Sequence, residues 1–215
     1  MRDERTQGVI LRTRLLTESS LIVHWLSADV GRLATVAKGA LRPKSPFRGK
    51  LDLFYLADFS FRRSRRSELH TLCEVGLRDT HVALRQNLAF LQQAAYCAAL
   101  IEQTTEMDTP LPEIFTMMVE LLGQLREDRS GPLTVPAFEI KLLKELGQLP
   151  SLPAARLSAG ATRILERLVE LDWPGLTCLK ASAPQLQEIR QFLRRALIEH
   201  LGKIPPGRTA ALATE

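Results

Sequence analysis

The chain has 215 residues, of which 45% are hydrophobic, and its formal net charge is +5. This composition supplies enough apolar residues for one large or two small folded domains and argues against disorder. No apolar run approaches the about 20 residues of a membrane span, and no hydrophobic segment follows the charged N-terminus as in a secretory signal. Three widely spaced cysteines, Cys73, Cys97 and Cys178, are typical of reduced thiols in a cytoplasmic protein.

The positive charge is concentrated in the first part of the chain. Residues 1–80 contain 15 Lys and Arg against 9 Asp and Glu, a balance of +6, whereas residues 81–215 contain 14 against 15. Such an asymmetry indicates a polyanionic partner for the basic part.

Alternating apolar residues in the first part predict β-strands. In the fourth predicted strand, for example, Phe59 and Phe61 alternate with Asp58 and Ser60. Short strands with turns between them are typical of a small barrel or sandwich. The predicted strands cover residues 6–14, 21–27, 32–38, 51–62 and 68–75.

The hydrophobic period changes to a helical one near Thr80. Ser158 and Ser182 stand where helix caps are expected, and Gly147 stands where a helix ends. From Gly202 onward the pattern indicates a loop-like tail. The predicted helices cover residues 81–103, 112–126, 136–146, 158–172 and 183–201. We therefore divide the chain into a β module at 1–80 and a helical module at 81–215.

Basic residues form three clusters in the β module. One lies in the first strand, one in the glycine- and proline-rich loop from Lys38 to Lys50, and one in the turn before the last strand. In a loop of this kind Phe47 is a candidate for stacking on a base, whereas Tyr55 shares the register of core residues. Taken alone, the loop could simply be a solvated surface. The candidate nucleic-acid contacts are Arg12, Arg14, Arg32, Lys38, Arg42, Lys44, Phe47, Arg48, Lys50, Arg62, Arg63, Arg65 and Arg66.

Motifs for catalysis, nucleotide binding and metal binding are missing from the sequence. There is no GxxxxGK[ST], GxGxxG or GxSxG sequence, and Cys and His show no zinc-type spacing. We therefore expect no catalytic residue, no cofactor and no metal.

Several stretches, taken in order, resemble the RecO family of recombination mediators. The likeness begins in the N-terminal strands and continues through the basic loop into the Phe138–Gly147 helix and the chain's end. The stretches are residues 8–14, 18–23, 31–40, 47–51, 68–72, 138–147 and 201–203, with Arg208.

The resemblance implies an α+β protein, with a five-stranded OB-fold barrel followed by an all-α domain. It implies binding to single- and double-stranded DNA, annealing of complementary strands and association with the nucleoid. It also implies partnership with RecR and with the acidic tail of single-stranded-DNA-binding protein, which together help to load RecA onto gaps.

The sequence departs from the family pattern at two places, and each departure affects which family sites can be expected in this chain. Many members carry a four-cysteine zinc finger after the Glu-Leu-Gly segment, but residues 148–156 contain no Cys pair, so we expect no finger here. Pro136 and Ala137 stand where the family often has Arg before Phe-Glu, which weakens the transfer of a tail-binding site. Lys141 and Lys144 are the remaining cationic candidates for partner binding on that helix.

Two other functions fit the same residues. An OB-fold module that binds RNA or tRNA would use the same charges, and so would a non-catalytic protein that docks an acidic peptide. Competition between DNA and RNA oligonucleotides of one sequence distinguishes an RNA-binding module from a DNA-binding one. Binding to an acidic peptide but to no nucleic acid would favour the peptide-docking protein.

Overall fold

The computed structural model describes residues 3–151 and 157–213. Within them, five strands close into a barrel in the order β1-β2-β3-β5-β4. Strands β3 and β5 are parallel, and the other neighbours are antiparallel. The predicted five-stranded OB-fold barrel is confirmed. The strands are β1 (Glu4–Thr17), β2 (Ser20–Ser27), β3 (Gly31–Ala37), β4 (Leu56–Arg62) and β5 (Leu69–Asp79).

The barrel closes around an aromatic core. Trp25 stacks on Phe59 with ring centroids 4.0 Å apart, and its indole N–H donates to Thr35 Oγ1 at 2.9 Å. Both aromatic side chains are almost fully buried, and the polar end of Trp25 keeps a partner there. The alternation seen in the sequence therefore places one face of each strand inside the barrel.

The fourth strand is shorter than predicted. It begins at Leu56 and not at residue 51, because the preceding residues form a turn. Asp52 Oδ1 accepts from the Leu53 N–H at 2.8 Å, and Phe54 has φ 64, a left-handed conformation that no regular strand contains.

Helices follow the barrel along the chain, and the main ones were predicted. Ser158 accepts from the Ala161 N–H at the start of one helix, and Ser182 forms a capping box with Gln185 at the start of another. The helices are α1 (Leu88–Thr104), α2 (Pro112–Arg126), α3 (Thr134–Glu145), α4 (Ala159–Glu170), α5 (Trp173–Leu176), α6 (Ala183–Leu201) and α7 (Arg208–Leu212).

Two short helices were not predicted. The Trp173–Leu176 turn stands where we expected a break after α4, because Asp172 caps it by accepting from the Gly175 N–H. Helix α7 lies in the tail that was predicted to be loop-like. Within the described residues, no helix is long and apolar enough to cross a membrane.

The chain divides into two compact units. The barrel unit contains the chain up to Val82 together with Thr105–Val119, and the helical unit contains Ala83–Thr104 and the chain from Glu120 onward. The predicted boundary at residue 80 lies close to Val82, but it assigned residues 105–119 to the helical module.

Within the barrel unit, residues 105–111 pack against the turn between β2 and β3. The Asp108 N–H donates to Arg32 O at 2.8 Å, and the Leu111 N–H donates to Ala28 O at 3.1 Å. Gly31 lies under this segment with φ +75, and a Cβ there would stand 1.7 Å from Thr109 O. Glycine is therefore required at this position for space as well as for conformation.

Candidate nucleic-acid interface

The outer surface of β1, β2 and β3 carries the first group of candidate residues. Arg12 lies opposite His24, and Arg14 lies opposite Ile22. Val23 lies between His24 and Ile22 on β2 and pairs with Thr35 on β3, and both side chains are buried inside the barrel. Because side chains alternate across a strand, Arg12, Arg14 and His24 point away from the core.

The surroundings of His24 show that this surface is electropositive. Burial, followed by the charges of Arg12, Arg14 and Arg32, lowers the pKa of His24 to about 4. Arg32 lies on the same face, two residues along β3 from Ala34, the partner of His24. We refer to Arg12, Arg14, His24 and Arg32 as the outer-face cluster.

Arg32 is less accessible than Arg12 and Arg14. Its guanidinium donates to the carbonyl oxygen of Thr105, and the side chain is half-buried. Arg32 therefore holds the 105–111 segment as well as contributing charge to the outer face.

The basic loop, residues 38–50, is a run of tight turns docked on the β1–β2 hairpin. The Leu41 N–H donates to Ser19 O at 2.9 Å, and the Gly39 N–H donates to Ser20 Oγ at 3.1 Å. This docking places the loop at the end of the barrel where Arg14 also lies. The exposed cations of the loop are Lys38, Arg42, Lys44 and Arg48.

Phe47 is not the exposed aromatic that we predicted. It is only 7% exposed and belongs to the core cluster of the barrel, with Val75 among its members. The loop cations near it support the backbone: Lys50 Nζ lies 3.3 Å from Val75 O, and Arg48 donates to Pro43 O at 3.1 Å. The expectation of an exposed ring was wrong because Phe47 anchors this polar loop in the apolar core, and that contact leaves no periodic signal in the sequence.

The third basic cluster lies at the other end of the barrel. The start of β1, at Glu4, pairs with Phe61, whereas its last residue, Thr17, pairs with Ser20 in the hairpin next to the basic loop. The turn between β4 and β5, which carries Arg63, therefore lies far along β1 from Arg14. The three clusters predicted from sequence do not form one continuous surface.

Two members of this third cluster are neutralised by carboxylates. Arg62 binds Asp3 at 2.9 Å, and Arg63 binds Glu4 at 3.0 Å and Asp108 at 2.5 Å. Hydrogen bonding to Glu4 raises the pKa of Arg63. Arg65 and Arg66 are exposed in the same turn. Paired arginines of this kind have less charge to offer a polyanion, so the outer-face cluster and the basic loop are the stronger candidates.

In the helical unit, the two lysines predicted to bind a partner differ in their surroundings. Lys141 Nζ donates to Leu171 O at 2.6 Å and so satisfies the carbonyl of the residue that ends α4. Burial, followed by the charge of Lys144, lowers the pKa of Lys141. Lys144 is exposed. Lys141 therefore ties α3 to α4, and of the two lysines Lys144 is the accessible one.

His24 and a group of leucines were missed as features of this surface. A register shift between Leu15 and Thr17 sets His24 opposite Arg12, and a count back from the Thr17–Ser20 pair without that shift would have placed it opposite Thr13. Leu15, Leu16 and Leu41 are 71%, 45% and 51% exposed at the same end of the barrel. The sequence signal for this exposed apolar group was the pair of leucines that immediately precedes the turn at Thr17.

Metal ligands do not converge in the parts of the chain that the structure describes. Across residues 3–151 and 157–213, no group of three His, Cys, Asp or Glu side chains is placed to hold a metal ion. The position of the expected missing zinc finger, residues 148–156, includes residues 152–156, which lie outside the described residues.

Comparisons with known proteins identify the family. Residues 1–81 match the family described as Recombination protein O N terminal, and residues 85–155 match Recombination protein O C terminal. Together these two matches cover well over half of the chain.

Individual relatives agree with these matches. The DNA repair protein RecO of Rhodopirellula baltica is 32% identical over 67% of this chain, which spans about half, 53%, of that relative's length. The same-named protein of Anaeromyxobacter dehalogenans is 28% identical over 91% of both chains, and that of Desulforudis audaxviator is 25% identical over 95% of this chain and 94% of the relative. The chain belongs to the RecO family.

Proposed function

We propose that this chain is a non-catalytic, DNA-binding recombination mediator that acts in DNA repair. It binds single- and double-stranded DNA through the outer-face cluster and the basic loop, and it anneals complementary strands. The name DNA repair protein RecO carried by its relatives supports the repair role, and the closed OB-fold barrel supports strand binding.

The observation that carries this proposal is the group of cations at one end of the barrel. Arg14, a member of the outer-face cluster, is exposed on the β1–β2 hairpin, and Arg42 and Lys44 are exposed on the basic loop, which docks on that hairpin. Residues 38–51 contain no Asp or Glu, and Glu18 is the only carboxylate in residues 12–28. This end of the barrel therefore has a surplus of positive charge with little local compensation.

Charge of this kind promotes annealing because two strands repel each other through their phosphates. Cations that contact both strands reduce this repulsion and release condensed counterions. If about five to eight phosphates are engaged, the logarithm of affinity falls with the logarithm of salt concentration at a slope of roughly −4 to −7.

The helical unit is proposed to provide the docking surface for protein partners. These are RecR and the acidic tail of single-stranded-DNA-binding protein, and through them the chain helps to load RecA onto gaps. Lys144 is the exposed cation on α3 that supports contact with an acidic tail. Lys141 contributes to partner docking only by fixing α3 against α4, because its ammonium group donates to Leu171 O at the end of α4.

Strand annealing on DNA coated with single-stranded-DNA-binding protein tests this function directly. We expect the protein to accelerate annealing, and to do so less as salt concentration rises. Competition with RNA of the same sequence tests whether DNA is the preferred polymer. Acceleration absent at every salt concentration, or clear preference for RNA, would contradict the proposal.

A further inference from the structure

Exposed leucines lie among the cations at the hairpin end of the barrel. Leu15 is 71% exposed and Leu41 is 51% exposed. Leu15 pairs with Leu21 across the hairpin, and the Leu41 N–H donates to Ser19 O in the turn of the same hairpin. The two exposed leucines therefore belong to one end of the barrel.

A cavity lies beside these leucines. Its volume is about 230 Å³, and its walls combine the hairpin, the basic loop and the residues that follow the loop. Phe47 forms part of the wall while its ring packs into the barrel core. The lining residues are Leu21, Ala40, Leu41, Phe47, Arg48, Gly49 and Leu51. Five of these seven residues have apolar side chains, and Arg48 contributes one guanidinium to the lining.

The charges around this apolar surface restrict what can occupy it. Arg14 lies on the outer surface of the same hairpin, Arg42 follows Leu41 on the basic loop, and Arg48 lines the cavity itself. A ligand that combines an apolar group with neighbouring negative charge therefore suits this surface. An unpaired nucleic-acid strand has this chemistry, because its bases are free to leave the stack while its phosphates remain charged.

We propose that the cavity and its rim, Leu15 and Leu41, take up an unstacked base of a single strand whose phosphates lie on Arg14, Arg42 and Arg48. This inference rests on the proposed function and adds the base contact to it. A base in a duplex is stacked and paired, so the leucines favour single strands, whereas the cations bind either form of DNA. Apolar side chains that contact unstacked bases are an established means of DNA recognition.

The test compares the full-length protein with the double variant Leu15→Ser and Leu41→Ser. The matched control is Leu88→Ser, which changes a leucine that is 70% exposed in α1 of the helical unit. The probe is a single-stranded oligonucleotide that contains 2-aminopurine, whose fluorescence rises when the base leaves the stack. A duplex of the same sequence is titrated in parallel, and thermal unfolding checks that each variant is folded.

We expect the wild-type protein and the control to raise the fluorescence of the single strand. The double variant should lose this increase and bind the single strand roughly tenfold more weakly, the loss expected for one base contact, while duplex affinity and salt dependence stay unchanged. Unchanged single-strand affinity and fluorescence in the double variant would overturn the base contact but leave the proposed function standing. No DNA binding by the wild-type protein would instead overturn both.

The leucines could alternatively be covered by a second copy of this chain. Sedimentation of the wild-type protein and the double variant without DNA distinguishes this outcome. A wild-type dimer that dissociates in the double variant, with DNA binding retained, would overturn the inference.

Discussion

Arg12 lies directly opposite His24 across the β1–β2 pair, on the outer surface of the barrel. Half-buried among arginines, His24 has its pKa lowered from 6.5 to about 4, first by burial and then by the charges of Arg12, Arg14 and Arg32. The imidazole is therefore neutral at physiological pH. Its titration reports on the charge of the surface that we propose for DNA.

DNA binding should become tighter as the pH falls below neutrality. A phosphate bound at the outer-face cluster offsets the arginine charges and raises the pKa of His24, so binding takes up a proton. If the pKa returns to about 6.5, affinity rises by up to about tenfold between pH 7.5 and 5.5. Fluorescence titrations with His24→Gln as control measure this effect. Identical pH dependence in both proteins would contradict it.

The same residue links stability of the free protein to pH. Because the folded pKa of His24 is lowered, the unfolded chain binds a proton that the folded chain does not. The contribution of neutral His24 to the free energy of unfolding is therefore fully present above about pH 6.5, and it is lost progressively as the pH falls toward 4. Between these pH values, His24→Gln should lose stability less steeply than the wild-type protein.

Gly31→Ala should destabilise the barrel unit much more than Gly49→Ala. Both glycines have positive φ, at +75 and +72, but a Cβ at Gly31 would stand 1.7 Å from Thr109 O, whereas nothing lies within 4 Å of one at Gly49. Gly49→Ala should cost only the conformational penalty of about 1–2 kcal/mol. Urea unfolding measures both, and equal losses would show that the 105–111 segment does not pack on Gly31.

Arg208→Ala should destabilise the helical unit by about 3–5 kcal/mol, because it leaves a buried carboxylate without its cation. Arg208 binds Glu139 through two hydrogen bonds of 2.6 and 2.8 Å, and the side chain of Glu139 is fully buried. Tyr96 also donates to Glu139 at 2.6 Å. Urea unfolding measures the loss.

Two further variants identify the cause of that loss. Arg195→Ala, which removes an exposed arginine of α6, should change the free energy of unfolding very little. Glu139→Gln added to Arg208→Ala should recover part of the stability, since an amide needs no counterion. Absence of any recovery would contradict the explanation by unpaired charge.

Lys141→Met should weaken the helical unit, whereas Lys144→Met should leave its stability unchanged. Methionine keeps the apolar stem of Lys141 but removes the hydrogen bond to Leu171 O, which is worth about 1.5–3 kcal/mol for a charged donor. The affinity for an acidic peptide should show the opposite pattern: it should fall in Lys144→Met and stay unchanged in Lys141→Met. Loss of stability in Lys144→Met, or equal stability of both variants, would contradict these assignments.

The fold could be predicted largely from the sequence because its signals are local. Alternation marked the strands, and Ser182 marked the start of α6 at the residue where it occurs. The β4 start was misplaced because Leu53 and Tyr55 continue the apolar alternation of the strand, while the backbone turns at Phe54 between them. Helix α7 was missed because Arg208 is held by a residue distant in sequence, Glu139.

The candidate site was less predictable because charge alone does not show its surroundings. Arg63 and Arg42 look alike in the sequence, yet Arg63 is paired with Glu4 and Asp108 whereas Arg42 is exposed on the basic loop. Phe47 likewise reads as a loop residue, and its burial depends on how the loop folds over the barrel. These distinctions arise from tertiary contacts that local patterns do not contain.

The salt dependence of DNA affinity tests most directly whether DNA binds at the hairpin end of the barrel. The variant Arg14→Ala, Arg42→Ala and Lys44→Ala removes exposed cations at that end and leaves Arg48, which supports the loop, in place. We expect its slope of log affinity against log salt to be shallower by about 2–3 than in the wild-type protein. Arg65→Ala with Arg66→Ala, at the other end, should leave the slope unchanged. An unchanged slope in the first variant, or an equal loss in the second, would contradict the claim.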